Sequence, residues 1–168
     1  MIKSSLLSIL FIILLTTGSF SAGSSSSGSS GGDGASMKSN YEKAVSYIKK
    51  AKKFEKKEKL EKATKEYAKA QKLLLKSNKK KPNQANTLNY LGFTTRKLGD
   101  FEGGEKYYLQ GLAIKPNHVG INEYLGELYV ATGRHNLAIE RLEVLKSCKC
   151  EEYEQLKAII AGEKVSKY

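Results

Sequence analysis

Residues 89–101 read NYLGFTTRKLGDF and residues 123–135 read EYLGELYVATGRH. The triplet Tyr-Leu-Gly recurs at 90–92 and 124–126, an interval of 34 residues. Gly99 and Gly133 keep the same interval, as do Pro82 and Pro116, the only prolines of the chain. A period of this length marks one supersecondary unit written more than once. Such a unit cannot bury its apolar face alone, so the copies must stack.

The apolar spacing between these marks is helical. Tyr41, Ala44, Val45, Ile48, Ala51 and Phe54 step by three and four, one face of a helix. Leu60, Ala63, Tyr67, Ala70 and Leu74 continue the pattern in a second, with candidate i, i+4 pairs Glu55–Lys59, Glu58–Lys62 and Glu61–Lys65 beside it. KSNKKKPNQ, residues 76–84, interrupts the pattern. A third helix is expected over 84–97, ended by Gly99 in the favoured C-terminal position. A fourth, capped by Asp100, is expected over 101–114, and further helices over 118–132, 135–147 and 151–161. No alternating strand pattern occurs.

A two-helix unit with these letters at these places resembles the tetratricopeptide repeat. With Ala85 as the first position, Leu88, Leu91-Gly92, Tyr108 and Pro116 fall on the family's marked sites. A second copy starts at Val119, with Leu125-Gly126, Tyr129, Ala138 and Leu142, and has Cys150 where proline belongs. An earlier copy from Ala44 is degenerate, with Lys50-Ala51 in place of Leu-Gly. The resemblance implies an all-α, right-handed solenoid of about three helix pairs with a C-terminal capping helix. The corresponding organisation is a pair over 38–82, repeats over 83–117 and 118–150, and a cap and tail over 151–168. Gly103, Gly104 and Gly111 should pack tightly and leave the fourth helix the softest, the alternative being close approach by a ligand or partner.

Ligands of that family lie in the concave groove formed by the first helix of each pair. The resemblance therefore implies partner contacts at Asn86, Asn89, Tyr90, Phe93, Arg96, Glu123, Tyr124 and Glu127. Amides can satisfy an extended backbone and aromatics can anchor side chains. The Lys and Asn pattern that clamps a peptide's C-terminal carboxylate is not reproduced.

The net charge of +12 is lopsided. Residues 38–82 carry 17 Lys against 5 Glu, whereas 83–168 are balanced. Lys49, Lys52 and Lys56 share a face of the first helix, although the resemblance also implies a groove position for Lys52, and Lys62, Lys65 and Lys69 line the second. They form either a solvated face or an electropositive end for acidic partners.

The first 22 residues place Lys3 before a short apolar run and small residues, the layout of a secretory signal peptide. The run is too short for a spanning helix, which needs roughly 20 apolar residues. Cleavage could follow Ser19, Ser21 or Ala22. Residues 23–37 are a Gly/Ser-rich flexible linker. The expected destination is the periplasm, with secretion as the other exported fate. For such a chain the basic excess points to an anionic envelope surface and not to nucleic acid.

Catalysis is not expected. His118 and His135 stand at helix starts, where capping or solvation suits them better than metal ligation, and EGGEK lies inside a helix pattern. No cofactor or metal is implied. Cys148 and Cys150, spaced C-x-C, could pair with each other, pair between chains or stay reduced. The expected function is a non-catalytic adaptor that binds a peptide or protein in the groove. The alternatives are a module binding anionic surfaces through its Lys-rich helices and a thiol redox or metal-responsive protein.

Overall fold

The structure, a computed structural model, describes residues 38–165. The expected leader (1–22) and linker (23–37) lie outside the described residues. Within them the chain forms α1 (Asn40–Glu55), α2 (Leu60–Lys80), α3 (Ala85–Lys97), α4 (Phe101–Ile114), α5 (Val119–Ala131), α6 (His135–Leu145) and α7 (Glu151–Ile160), and no strand. None of these helices is long and apolar enough to cross a membrane.

Local chemistry sets the helix ends. Ser39 and Glu42 form a reciprocal capping box at the start of α1. The Asp100 carboxylate accepts from the Gly103 N–H to cap α4, and His118 Nδ1 accepts from the Ile121 N–H to cap α5. Gly99 and Gly133 take left-handed φ values of 95° and 74° immediately after α3 and α5, where a Cβ would be strained. The 34-residue glycine interval is thus a repeated helix stop.

Helices pair in sequence, α1 with α2, α3 with α4, and α5 with α6; each pair packs on the next, and α7 packs on both α5 and α6. This is an all-α solenoid of helix pairs with a terminal helix. One core cluster joins Ala44, Ile48, Ala51, Ala63, Tyr67, Ala70 and Leu74 to Leu88, Leu91 and Phe93. A second joins Tyr108 and Leu112 to Ile121, Leu125, Leu128, Tyr129 and Ala138. The first pair lacks Leu-Gly, but Ala44, Ala51, Ala63 and Ala70 are all buried and give α1 and α2 their close approach.

The repeated glycines serve packing, with different partners. A Cβ on Gly92 would lie 2.5 Å from the Tyr108 ring, whereas one on Gly126 would lie 2.5 Å from a Leu156 methyl of α7. The glycines of α4 are occupied in the same way. Gly104 packs on the α3 backbone at Gly92, and Gly111 packs against Ile121.

At several positions the fold departs from the expectation. Leu60 is 66% exposed, because it is the first residue of α2 and lies beyond the reach of α1. Glu55 does not pair with Lys59, because the chain leaves the helix there. Its carboxylate accepts from Tyr67 Oη at 2.8 Å and pairs with Lys97 Nζ at 2.7 Å. Glu105, inside the EGGEK stretch, accepts two hydrogen bonds from the Arg134 guanidinium at 2.9 and 2.8 Å. Lys52 leaves the basic face and takes the groove position that the repeat register also gives it.

Candidate functional site: the groove of the first helices

The first helix of each pair, α1, α3 and α5, contributes side chains to one continuous strip, and α7 extends it. Aromatic rings run along it. Tyr41 and Tyr90 have centroids 5.9 Å apart, and Phe93 lies 5.6 Å from Tyr67 and 5.0 Å from Tyr124. Lys52 enters this strip from α1, away from the exposed Lys49 and Lys56. Its Nζ lies 4.7 Å from the Phe93 centroid and 5.5 Å from that of Tyr124, and donates to Tyr124 Oη at 3.2 Å. Two ring faces and a phenol oxygen replace much of its water. Burial pushes its ammonium pKa down, opposed by Glu123, Glu127 and Glu55.

Below Lys52 runs a buried charged layer. Arg96 is 2% exposed; its Nη1 donates to the Tyr124 carbonyl and its Nη2 pairs with Glu127 at 3.3 Å. The other Glu127 oxygen accepts from Gln155 of α7 at 3.4 Å. Burial raises the Glu127 carboxyl, with Arg96 opposing it. Glu123, one helical turn earlier, is 6% exposed, and burial pushes its carboxyl up to about 8. The like charges of Glu127 and Glu152 add to that rise, while Lys52 and Arg96 oppose it.

The two amides differ. Asn86 is exposed, and its Oδ1 lies 2.8 Å from His118 Nε2. Asn89 is buried, and its Oδ1 has no hydrogen-bond partner among the described residues. Of the eight groove residues named from sequence, Asn86 is open, Tyr90 and Tyr124 are half-buried, and Asn89, Phe93, Arg96, Glu123 and Glu127 form the floor. They come together as one strip, but most are inaccessible to a partner without local rearrangement. Sequence reasoning missed Lys97, which pairs with Glu55, and the α7 residues Glu152 and Gln155. Since α7 falls outside the 34-residue register, no repeat position pointed to them.

The basic face is separate. Lys49, Lys56, Lys62, Lys65 and Lys69 are all exposed. Lys62, Lys65, Lys69 and Lys72 ring a shallow cavity of about 340 Å³ whose apolar lining includes Phe54 and Ala68. Lys50 and Lys69 both donate to Glu66 Oε1, at 3.2 and 3.0 Å. Burial works to raise the Glu66 carboxyl, but these two partners prevail and hold it low.

Cys148 and Cys150 are joined in a disulfide with Cα atoms 5.2 Å apart, within the usual span for such a bond. Cys150 is the N-cap residue of α7, so the position expected to hold proline starts the terminal helix. His118 is buried as a cap and burial lowers its pKa, while His135 is exposed. Among the described residues, no group of three or more His, Cys, Asp or Glu could hold a metal ion.

No protein-family model matches the chain, and no curated protein matches it. Several solved structures are similar to it. One is the Arabidopsis OM64 TPR domain, at 16% identity and TM-score 0.47, over 74% of this chain and 99% of that one. Another is the first TPR of Spaghetti (RPAP3) bound to the HSP90 peptide SRMEEVD, at 18% identity and TM-score 0.48, over 76% and 98%. A third is the TPR2B domain of yeast Sti1 in a complex with pHsp70, at 18% identity and TM-score 0.47, over 73% and 98%.

Proposed function

We propose that the chain is a non-catalytic adaptor that captures a peptide segment or protein in the groove of its first helices, in the cell envelope after export. The aromatic ladder carries this reading. Tyr41, Tyr90 and Tyr124 stand half-buried across three successive first helices, and the exposed Asn86 lies one helical turn before Tyr90. Half-exposed aromatics with adjacent polar groups suit an extended peptide, since rings give contact area at low entropic cost and amides meet its backbone. The leader-like N-terminus and the Cys148–Cys150 disulfide favour an oxidising, exported setting.

A photocrosslinking residue placed at Tyr90 tests this. It should trap a discrete partner from the native envelope fraction, while the same residue at Leu109, an exposed position on α4, should not. Identical adducts from both positions, or none from Tyr90, would count against the groove.

The cavity ringed by Lys62, Lys65, Lys69 and Lys72 favours a second reading, attachment of α1 and α2 to an anionic envelope surface. The two readings are compatible, because the lysine ring and the groove involve different side chains.

A further inference from the structure

Helix α2 carries charge and apolar surface that the fold does not use. Its core side is Ala63, Tyr67, Ala70 and Leu74, all buried. Away from the core run Lys62, Lys65, Lys69, Lys72, Lys76 and Lys79, exposed throughout and stepping by three and four. Leu60 and Leu75, 66% and 45% exposed, lie along one edge of that row, with Thr64 and Ala68 between them at steps of four, four and seven. The cavity of about 340 Å³ joins the two strips, with Phe54 and Ala68 in its lining and Lys62, Lys65, Lys69 and Lys72 at its rim. Among the described residues, only Lys69 of the row is held by an acid, Glu66, which it shares with Lys50. Scattered lysines are satisfied by water, but a one-signed row about 25 Å long builds up a potential that attracts anions.

The chemistry of this face narrows the choice of anion. Residues 38–82 hold 17 Lys and no Arg. Lysine is a point charge without the planar fork that grips one carboxylate or phosphate in two places, so it suits many loosely placed phosphates. The lysine row carries no amide, and neighbouring Gln71 donates its Nε2 to Thr95 Oγ1 at 2.9 Å. An acidic peptide would therefore find charge here but no partner for its backbone. A hydrophilic polyanion would leave Leu60 and Leu75 in water. At a bilayer interface both requirements are met, because leucines enter the acyl boundary while lysine stems let the ammoniums stay at phosphate level.

We propose that the outer face of α2 docks on a bilayer containing anionic phospholipid. A lipid phosphate sits at the lysine rim of the cavity, its glycerol and first methylenes lie against Phe54 and Ala68, and Leu60 and Leu75 enter the interface. The assignment rests on α1 and α2 attaching to an anionic surface and names that surface. Each lysine near such a surface strengthens partitioning about fivefold, so the row supplies most of the affinity and salt should remove it. Burying the exposed half of a leucine adds about fivefold more.

The test is co-sedimentation of the full chain with phosphatidylcholine vesicles, with and without about one-third phosphatidylglycerol, at about 0.15 M salt. The chain should bind the mixed vesicles and not the pure ones. The triple variant K65Q/K72Q/K76Q should bind about a hundredfold more weakly, and Leu75→Asn about fivefold. On the unmodified chain, mixed vesicles should protect Lys65, Lys72 and Lys76 from acetylation but not Lys106 and Lys157, which are exposed on other helices. Equal binding to pure phosphatidylcholine, full binding by the triple variant or by Leu75→Asn, or uniform protection would overturn the proposal. All these proteins share residues 1–22, so adsorption through that apolar run would ignore lipid charge and count among those refutations. Retention on polyglutamate beads without vesicle binding would reject the bilayer and leave an acidic partner for α2. Failure on both would reject attachment to an anionic surface altogether.

Discussion

Replacing Glu123 by glutamine keeps the shape of the side chain and removes its ability to ionise. In the wild-type groove this carboxyl is raised from about 4.5 to about 8, first by burial and then by Glu127 and Glu152. The folded state therefore holds a proton that the unfolded chain releases across that interval. Between these values the folded state binds more protons, so stability falls as pH rises through the window and the loss is complete above about 8. Each pH step of one across the window corresponds to about 1.4 kcal/mol, which sets an upper bound of roughly 4–5 kcal/mol for the whole of it. Glu127 shares Arg96 and titrates with Glu123, so a gain of about 2–4 kcal/mol is expected for Glu123→Gln at pH 9. Little difference is expected at pH 5, where the protonated carboxyl and the amide are nearly equivalent. Urea unfolding of both proteins at intervals from pH 5 to pH 9 measures this directly. Parallel stability curves for wild type and variant would refute the buried, unpaired carboxylate.

Three further outcomes are expected. Arg96→Met should cost about 3–5 kcal/mol in urea unfolding at neutral pH, because it leaves Glu127 buried beside Glu123 without its guanidinium; a cost below about 1 kcal/mol would mean that the layer is solvated. Gly126→Ala should cost about 1–3 kcal/mol, since its Cβ would lie 2.5 Å from Leu156. Combining it with Leu156→Ala should recover part of that loss, and strictly additive thermal melts would show that the two do not meet. Reversing Lys62, Lys65 and Lys69 to glutamate should abolish flotation with anionic vesicles; wild-type flotation that survives high salt would exclude an electrostatic attachment.

Much of the fold was legible, and the site less so. The steps of three and four from Tyr41 to Phe54, the stops at Gly99 and Gly133, and the cap at Asp100 all act within a turn or a few turns of helix. Local signals of that kind need no knowledge of the rest of the chain. The groove positions were found through the repeat register, which brought Tyr90, Phe93, Arg96, Tyr124 and Glu127 to one strip. The register could not say which of them would be buried, because burial depends on what covers them. Lys52 shows this best. Charge spacing groups it with Lys49 and Lys56 while the repeat register makes it a groove position, and only the rings of Phe93 and Tyr124 decide between the two.

By itself the sequence determined the helices, their pairing interval and the places where each turn had to end, because side-chain periodicity and glycine backbone freedom are local properties. Tertiary structure alone decided the partners of the repeated letters. Gly92 is filled by Tyr108 within its own helix pair, but Gly126 is filled by Leu156 of a helix outside the repeat. It also decided the electrostatic surroundings, since Glu55 pairs across to Lys97 and burial raises the Glu123 carboxyl despite Lys52 and Arg96 nearby. A charge's free energy depends on the dielectric and the neighbours around it, and distant parts of the chain supply both.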